Sequence, residues 1–265
     1  MSRTRGTWNT ASTWAAGVAL VAVLALTGYA VFSGEESGSD TPAKGGASPS
    51  ASGSASPEPM YSAPADWTEP ERWTALPKGQ RTDERGSAVG FPHTVEGAIA
   101  MMAAANTTRI EGERSGTAEQ LRMYHSYFGK PDQTPENAKK IELSSRETDK
   151  SLAQEMGVEA GRPLPSGAYM RAHVIGYKVI KKSDDEVSAW VLARAVQKNG
   201  EMAKEESSYT RTLVAAQWQD GDWKLTTEAT KRALQAPESQ DKPAIVAPGD
   251  EEFNAAGWTA IRDAS

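Results

Sequence analysis

Not one of the 265 residues is cysteine. Disulfides, thiolate nucleophiles, cysteine-ligated metals and an acylated lipoprotein anchor are excluded together, so stability has to come from an ordinary packed core. Histidine is nearly as scarce: only His93, His125 and His173 are present, with no HExxH or paired-His spacing that would hold a metal. Phosphate cradles are missing as well, because Gly86-Ser87 with Gly90 is too sparse and no glycine-rich loop leads from a strand into a helix. A basic excess is also lacking, with 29 Lys and Arg against 35 Asp and Glu and a formal net charge of −6. That balance argues against broad nucleic-acid binding, which needs a basic face. The acids Asp184, Asp185, Glu186, Glu201, Glu205 and Glu206 cluster around turns, where solvated carboxylates are poor general bases. Spacing supports no Ser-His-Asp arrangement. No catalytic residue, metal or cofactor is assigned.

Charge itself is absent from Trp14 to Phe32, in a chain in which 24% of residues are charged. A helix over those residues is about 28 Å long, close to the ~30 Å hydrocarbon core of a bilayer. Arg3, Arg5 and the N-terminal amine precede it; Glu35, Glu36 and Asp40 follow it, with no Lys or Arg before Lys44. The positive-inside rule puts a leader of residues 1–13 in the cytoplasm and residues 33–265 outside. Trp14, Tyr29 and Phe32 stand near the two interfaces, where amphipathic rings are favoured. The rival is a cleaved secretory signal, since Ala15 to Leu26 has the length of its apolar core and Gly28-Tyr29-Ala30 loosely fits a cleavage site. From Ser33 to Asp66, 25 of 34 residues are Ser, Gly, Ala or Pro. Such a composition cannot offset the entropy of ordering, and predicts a disordered tether with a reach of roughly 30 to 35 Å.

The remaining residues are enough for one domain. Trp67 to Pro92 carries Trp67, Trp73, Leu76 and Phe91 without a helical or strand period, and reads as an irregular aromatic strap. Thr94 caps a helix with Val95, Ala98, Ile99, Met102 and Ala105 on one stripe. Thr117-Ala118-Glu119-Gln120 is a capping box for a second helix, with Leu121, Tyr124, His125 and Phe128 on one face. Thr134-Pro135 opens a longer third helix whose stripe is Ala138, Ile141, Ser145, Thr148, Leu152 and Met156. Met101, Met102 and Met123 fall at core positions, and Asn106-Thr107-Thr108, a glycosylation sequon, ends the first helix.

After Gly161 the period becomes alternating. Ala168 to Lys181, Val187 to Gln197, Glu205 to Gln219 and Trp223 to Thr227 read as strands, separated by Ser183-Asp184-Asp185, Asn199-Gly200 and Asp220-Gly221. The Asn-Gly and Asp-Gly pairs predict tight type I′ hairpins, because both central positions need positive φ. On the first strand Ala168, Met170, Ala172, Val174 and Ile180 share one face, against Trp190, Leu192 and Val196 of the second. The opposite face of that strand presents Tyr169, Arg171, His173, Ile175 and Tyr177, of which Tyr169, Arg171, His173 and Tyr177 are the candidate pocket residues. The pattern is α+β: three helices on one face of a curved antiparallel four-stranded sheet, over residues 93–235, with a tail at 236–265 in which Trp258 docks back on the domain.

The string Trp218-Gln219-Asp220-Gly221-Asp222-Trp223-Lys224 after a long strand resembles the closing hairpin of the NTF2-like fold, with Trp218, Asp220, Gly221 and Trp223 as its signature. One departure is that no short strand is evident between the second and third helices, where that fold usually has one. A cytoplasmic leader, one anchor, a tether and an NTF2-like outer domain are together similar to bitopic scaffold proteins of conjugation and type IV secretion machines. Gly90-Phe91-Pro92-His93-Thr94 and Pro165-Ser166-Gly167-Ala168-Tyr169 resemble an actinobacterial membrane-protein family of unknown function linked to integrative conjugative elements. The resemblance implies a single-pass, extracytoplasmic, non-catalytic interaction module, accessory to a transfer apparatus. Its partners would be envelope proteins, transfer-machine subunits or further copies of the chain. The alternative is a tethered domain that binds or acts on a small apolar ligand through Tyr169, Arg171, His173 and Tyr177. Attachment to, or sensing of, the cell wall is a third possibility, resting on the tether alone.

Overall fold

A computed structural model describes residues 67–262. The leader, the apolar run Trp14 to Phe32 and the tether to Asp66 lie outside the described residues. No helix among the described residues is long and apolar enough to cross a membrane. Their strands are β1 (Trp73–Ala75), β2 (Arg81–Thr82), β3 (Ala88–Val89), β4 (Thr108–Glu111), β5 (Ala168–Lys182), β6 (Glu186–Asn199), β7 (Glu206–Gln219), β8 (Asp222–Leu225) and β9 (Thr259–Arg262). The α-helices are α1 (Val95–Ala105), α2 (Gly116–Tyr127), α3 (Pro135–Glu155), α4 (Thr227–Gln235) and α5 (Glu251–Ala255).

The three expected helices form where their caps place them, with one displacement. The Thr94 hydroxyl accepts the Gly97 amide at 3.1 Å to start α1, which buries Ala98, Ile99, Met101, Met102 and Ala105. Thr134 caps α3 in the same way, and Ile141, Ser145, Thr148 and Leu152 are buried along its stripe. For α2 the cap is Ser115 rather than Thr117. Asp149 of α3 is the reason: its carboxylate accepts the Gly116 and Thr117 amides at 2.7 and 2.9 Å and the Thr117 hydroxyl at 2.7 Å, so Thr117 is drawn inside the helix. Glu119, one turn further on, holds Arg122 at 2.9 Å.

β5, β6, β7 and β8 are consecutive and antiparallel as their patterns predict. The sheet is larger than four strands, however. Among the described residues it has seven, in the order β1-β9-β5-β6-β7-β8 with β4 also pairing β5. It is not wholly antiparallel, since β1 and β9 run parallel with Trp73 opposite Ala260. The strap and the tail therefore both supply sheet strands; runs of three or four residues are too short to display a period. Nor is one face bare. α1, α2 and α3 cover the inner face, with Ile99, Met102, Tyr124, Ile141, Val191 and Val214 in one core. On the outer face α4, α5 and the segment 243–248 cover a second core of Trp190, Leu192, Leu213, Ala229, Phe253 and Trp258. Val187 to Ala193 of β6 are buried without interruption, as a strand covered on both faces requires.

The closing hairpin turns through Asp220 at φ 53° and Gly221 at φ 80°, the two positive values that a type I′ turn needs. Asn199-Gly200 does not make such a turn. Only Gly200 has positive φ there, and the chain runs on to Glu206 before β7 begins.

Next to that turn, buried Asp222 ties the strap to the sheet. Its carboxylate accepts the amides of Gly90 at 2.9 Å, Phe91 at 3.0 Å and Trp223 at 2.9 Å, with the Lys224 ammonium at 3.3 Å. Trp223 adds a 2.8 Å bond from its indole to the Pro92 carbonyl. His93 then stacks on Trp218, ring centroids 4.0 Å apart, and its Nε2 meets Asp185 at 2.9 Å. Gly97 completes the joint. A Cβ there would lie 1.9 Å from the Pro92 oxygen, so the strap and the first turn of α1 touch only because that position is glycine.

Removing the Asp222 acceptor leaves two strap amides buried and unpaired, and each such donor costs about 1–3 kcal/mol. Asp222→Ala is expected to lower Tm by at least roughly 4–8 °C in a calorimetric scan. A second hold on the strap is acid-labile. Burial raises the pKa of the Asp83 carboxyl, but the Ser126 hydroxyl, the Ser87 and Arg85 amides and the Arg85 charge outweigh it, so the net value is below the usual 3.8. A depressed carboxyl stabilises the fold above its unfolded pKa and loses that contribution as pH falls through the folded one. Tm is therefore expected to decline as pH falls below about 4, and to decline less steeply in Asp83→Asn, followed by circular dichroism.

Candidate functional site

β5 carries the four residues expected to share one face, and the structure divides them. A bulge between Val174 and Gly176 inserts one extra residue against β6. Side chains from Gly176 to Ile180 change face, until a second bulge between Val179 and Lys181 restores the original parity. Tyr169, Arg171 and His173 lie on the outer face, whereas Tyr177 packs into the inner core and its hydroxyl meets that of Thr74 at 3.0 Å. The expected apolar set is broken in the same way: Val174 belongs to the inner core and Ile180 to the outer one, together with Trp190 and Leu192. The four candidates thus line no common pocket.

Between helices and sheet lies a cavity of about 20 Å³, lined among others by Gln120, Met123, Met170, Val191, Thr210 and Thr212. One water needs about 10–15 Å³, and small-molecule pockets are some hundreds of Å³. The cavity contains none of the four candidates and no carboxylate. Thr210 is 7% exposed, and its hydroxyl oxygen is buried without a hydrogen-bond partner. His125 of α2 sits edge-on to Tyr124 with centroids 5.0 Å apart. Burial and the nearby Arg85 hold its pKa below the ordinary value. No group of three or more metal-ligating side chains occurs among the described residues.

The outer face differs in its two halves. α4, α5 and the segment 243–248 cover the half around Trp190 and Trp258, and Arg211 marks the border, its guanidinium 5.4 Å from the Trp190 ring centre and hydrogen-bonded to the Pro243 carbonyl. Beyond Arg211 lie Tyr169, Arg171 and His173 of β5, Arg194, Val196 and Lys198 of β6, and Ser207 and Tyr209 of β7. Register sets them in rows: His173 opposite Arg194 opposite Tyr209, and Arg171 opposite Val196 opposite Ser207. Cross-strand neighbours of this kind have Cβ atoms about 5 Å apart.

At the margin, Arg171 donates to Glu111 at 3.0 Å through Nε and lies 4.3 Å over the Tyr169 ring, while the Tyr169 hydroxyl donates to Glu205. The bond to Glu205 raises the phenol pKa, with smaller contributions in the same direction from desolvation and the Glu205 charge. The Nε of Arg194 is buried with no acceptor. A charged donor left in that state costs more than the ~1–3 kcal/mol of a neutral one. Arg194, Lys198 and Tyr209 were not among the residues singled out from the sequence, although Arg194 interrupts the alternating apolar run Trp190, Leu192, Val196 and so carried a signal.

Comparison of the chain with protein-family models, with curated proteins and with solved structures finds no match.

The unpaired Thr210 hydroxyl gives the cavity a direct test. Thr210→Val removes a desolvated group that has no partner, and is expected to raise stability by about 1 kcal/mol, or roughly 2–4 °C in Tm. A fall in Tm would mean that the hydroxyl is satisfied by a bound polar molecule.

Proposed function

We propose that the chain is a membrane-anchored, non-catalytic extracytoplasmic interaction module with an NTF2-like domain, acting as an accessory or scaffold component of a conjugative element's transfer apparatus. The order of three helices followed by four consecutive antiparallel strands closed by an Asp-Gly hairpin supports the architectural part. Its short extra strand, β4, falls between the first and second helices rather than between the second and third. The observation that carries the functional part is the small volume, about 20 Å³, of the cavity between helices and sheet. A domain of this architecture that served a small apolar ligand would keep that space open; here Met, Val and Thr side chains occupy it, and the polar groups are displayed outward. Anchoring by Trp14 to Phe32 and spacing by the tether would then present the open outer face to neighbouring envelope proteins.

Cross-linking in the native host, followed by purification of the tagged full chain, tests this reading. Recovery of envelope or transfer-machine subunits, together with reduced transfer on deletion, is the expected result. Recovery of none with transfer unchanged would overturn it.

A further inference from the structure

We propose that the uncovered half of the sheet's outer face is a platform for an acidic, extended peptide segment of a partner protein, anchored at its centre by Arg194. The inference rests on the interaction-module reading and names the chemistry of the partner.

Three observations carry it. Arg194 stands in the middle strand between His173 and Tyr209, and its Nε donor is buried with no acceptor. In a folded protein such a donor is almost always paired, so its position marks where an acceptor is to be supplied from outside. Lys198, four residues further along the same strand face, forms no ion pair among the described residues, so a second cation lies roughly 13 Å from the first. Carboxylates on the same face of an extended chain recur about every 7 Å, so the first and third of an alternating acidic segment meet Arg194 and Lys198 together.

The face is also cationic against the trend of the molecule. Arg171, Arg194, Lys198 and Arg211 stand against Glu111 and Glu205, in a chain with a net charge of −6. Both carboxylates are held at the margin, Glu111 by Arg171 and Glu205 by the Tyr169 hydroxyl, which leaves the centre to Arg194. The platform spans the three strands β5, β6 and β7, and no described element covers it. An extended chain fits that shape, whereas a small dicarboxylate would remain mostly in water. A guanidinium offers its donors as a planar fork that matches a carboxylate.

The test uses the purified full chain in detergent and a fluorescent ten-residue peptide of alternating Glu and Ser, with a Gln-Ser peptide and a single-stranded oligonucleotide as comparisons. Anisotropy titration is expected to show binding of the Glu-Ser peptide that weakens with salt and little binding of the Gln-Ser peptide. Arg194→Gln should weaken the Glu-Ser complex by about tenfold or more, Lys198→Gln by roughly threefold, and Lys150→Gln on α3 should leave it unchanged. Arg194→Lys, which keeps charge but loses the fork, should fall between wild type and Arg194→Gln, with the Tm of each variant recorded to separate unfolding from lost binding. Equal binding of the Gln-Ser peptide, wild-type affinity in a folded Arg194→Gln, or tighter binding of the oligonucleotide would overturn the proposal. Partners recovered by cross-linking to the Arg194→Gln chain as efficiently as to wild type would overturn this inference alone. Recovery of no partner by either chain would instead overturn the reading on which it rests.

Discussion

The Asp222 carboxylate is the point at which three separated parts of the chain are made one. It lies on the short return strand of the closing hairpin, and through two amides it fixes Gly90 and Phe91, some 130 residues earlier in sequence. Those residues lead straight into the Thr94 cap, so the start of α1 is positioned from the last hairpin of the sheet. α1 in turn lies across the inner face and fills it with Ile99, Met101 and Met102. A buried carboxylate is tolerable only with its lone pairs occupied, and here three backbone donors and a lysine occupy them. The strap, the first helix and the sheet therefore order together.

What could be read from the sequence followed local chemistry. Caps at Thr94 and Thr134, the Asp220-Gly221 turn and the extended runs of β5 to β8 each depend on neighbours within a few residues, and each is found. Where the start of α2 and the edge strands were missed, a distant group overrides a local preference. Asp149 reaches from α3 to move the start of α2. The bulge after Val174 reverses the faces of β5, and nothing in an alternating pattern marks where an extra residue will be inserted. β1 and β9 exist only because they find each other across nearly the whole domain. The candidate site suffered most, since its four residues were grouped by parity along a strand whose parity changes in the middle.

That reversal also accounts for the division of labour between the two faces. Before the bulge, Ala168, Met170 and Ala172 point to the helices, which leaves Tyr169, Arg171 and His173 on the water side. After it, larger residues on the outer side, Ile175, Ile180 and Trp190, demand a cover, and α4, α5 and the segment 243–248 supply one. The outer face is thus half core and half surface, with Arg211 at the seam. A single covered sheet would have offered no such exposed, ordered set of polar side chains.

The parallel pairing of β1 with β9 has a mechanical meaning. Chain entering the domain ahead of Trp67 reaches the sheet through β1, whose neighbour is itself clamped to β5 at Gly176 and Tyr177. Tension drawn along β1 loads its hydrogen bonds sideways and all at once, whereas a force across the strand would open them singly. The sheet thus meets a pull on its leading end in shear, and transmits that pull to β5, the strand from which Tyr169, Arg171 and His173 project.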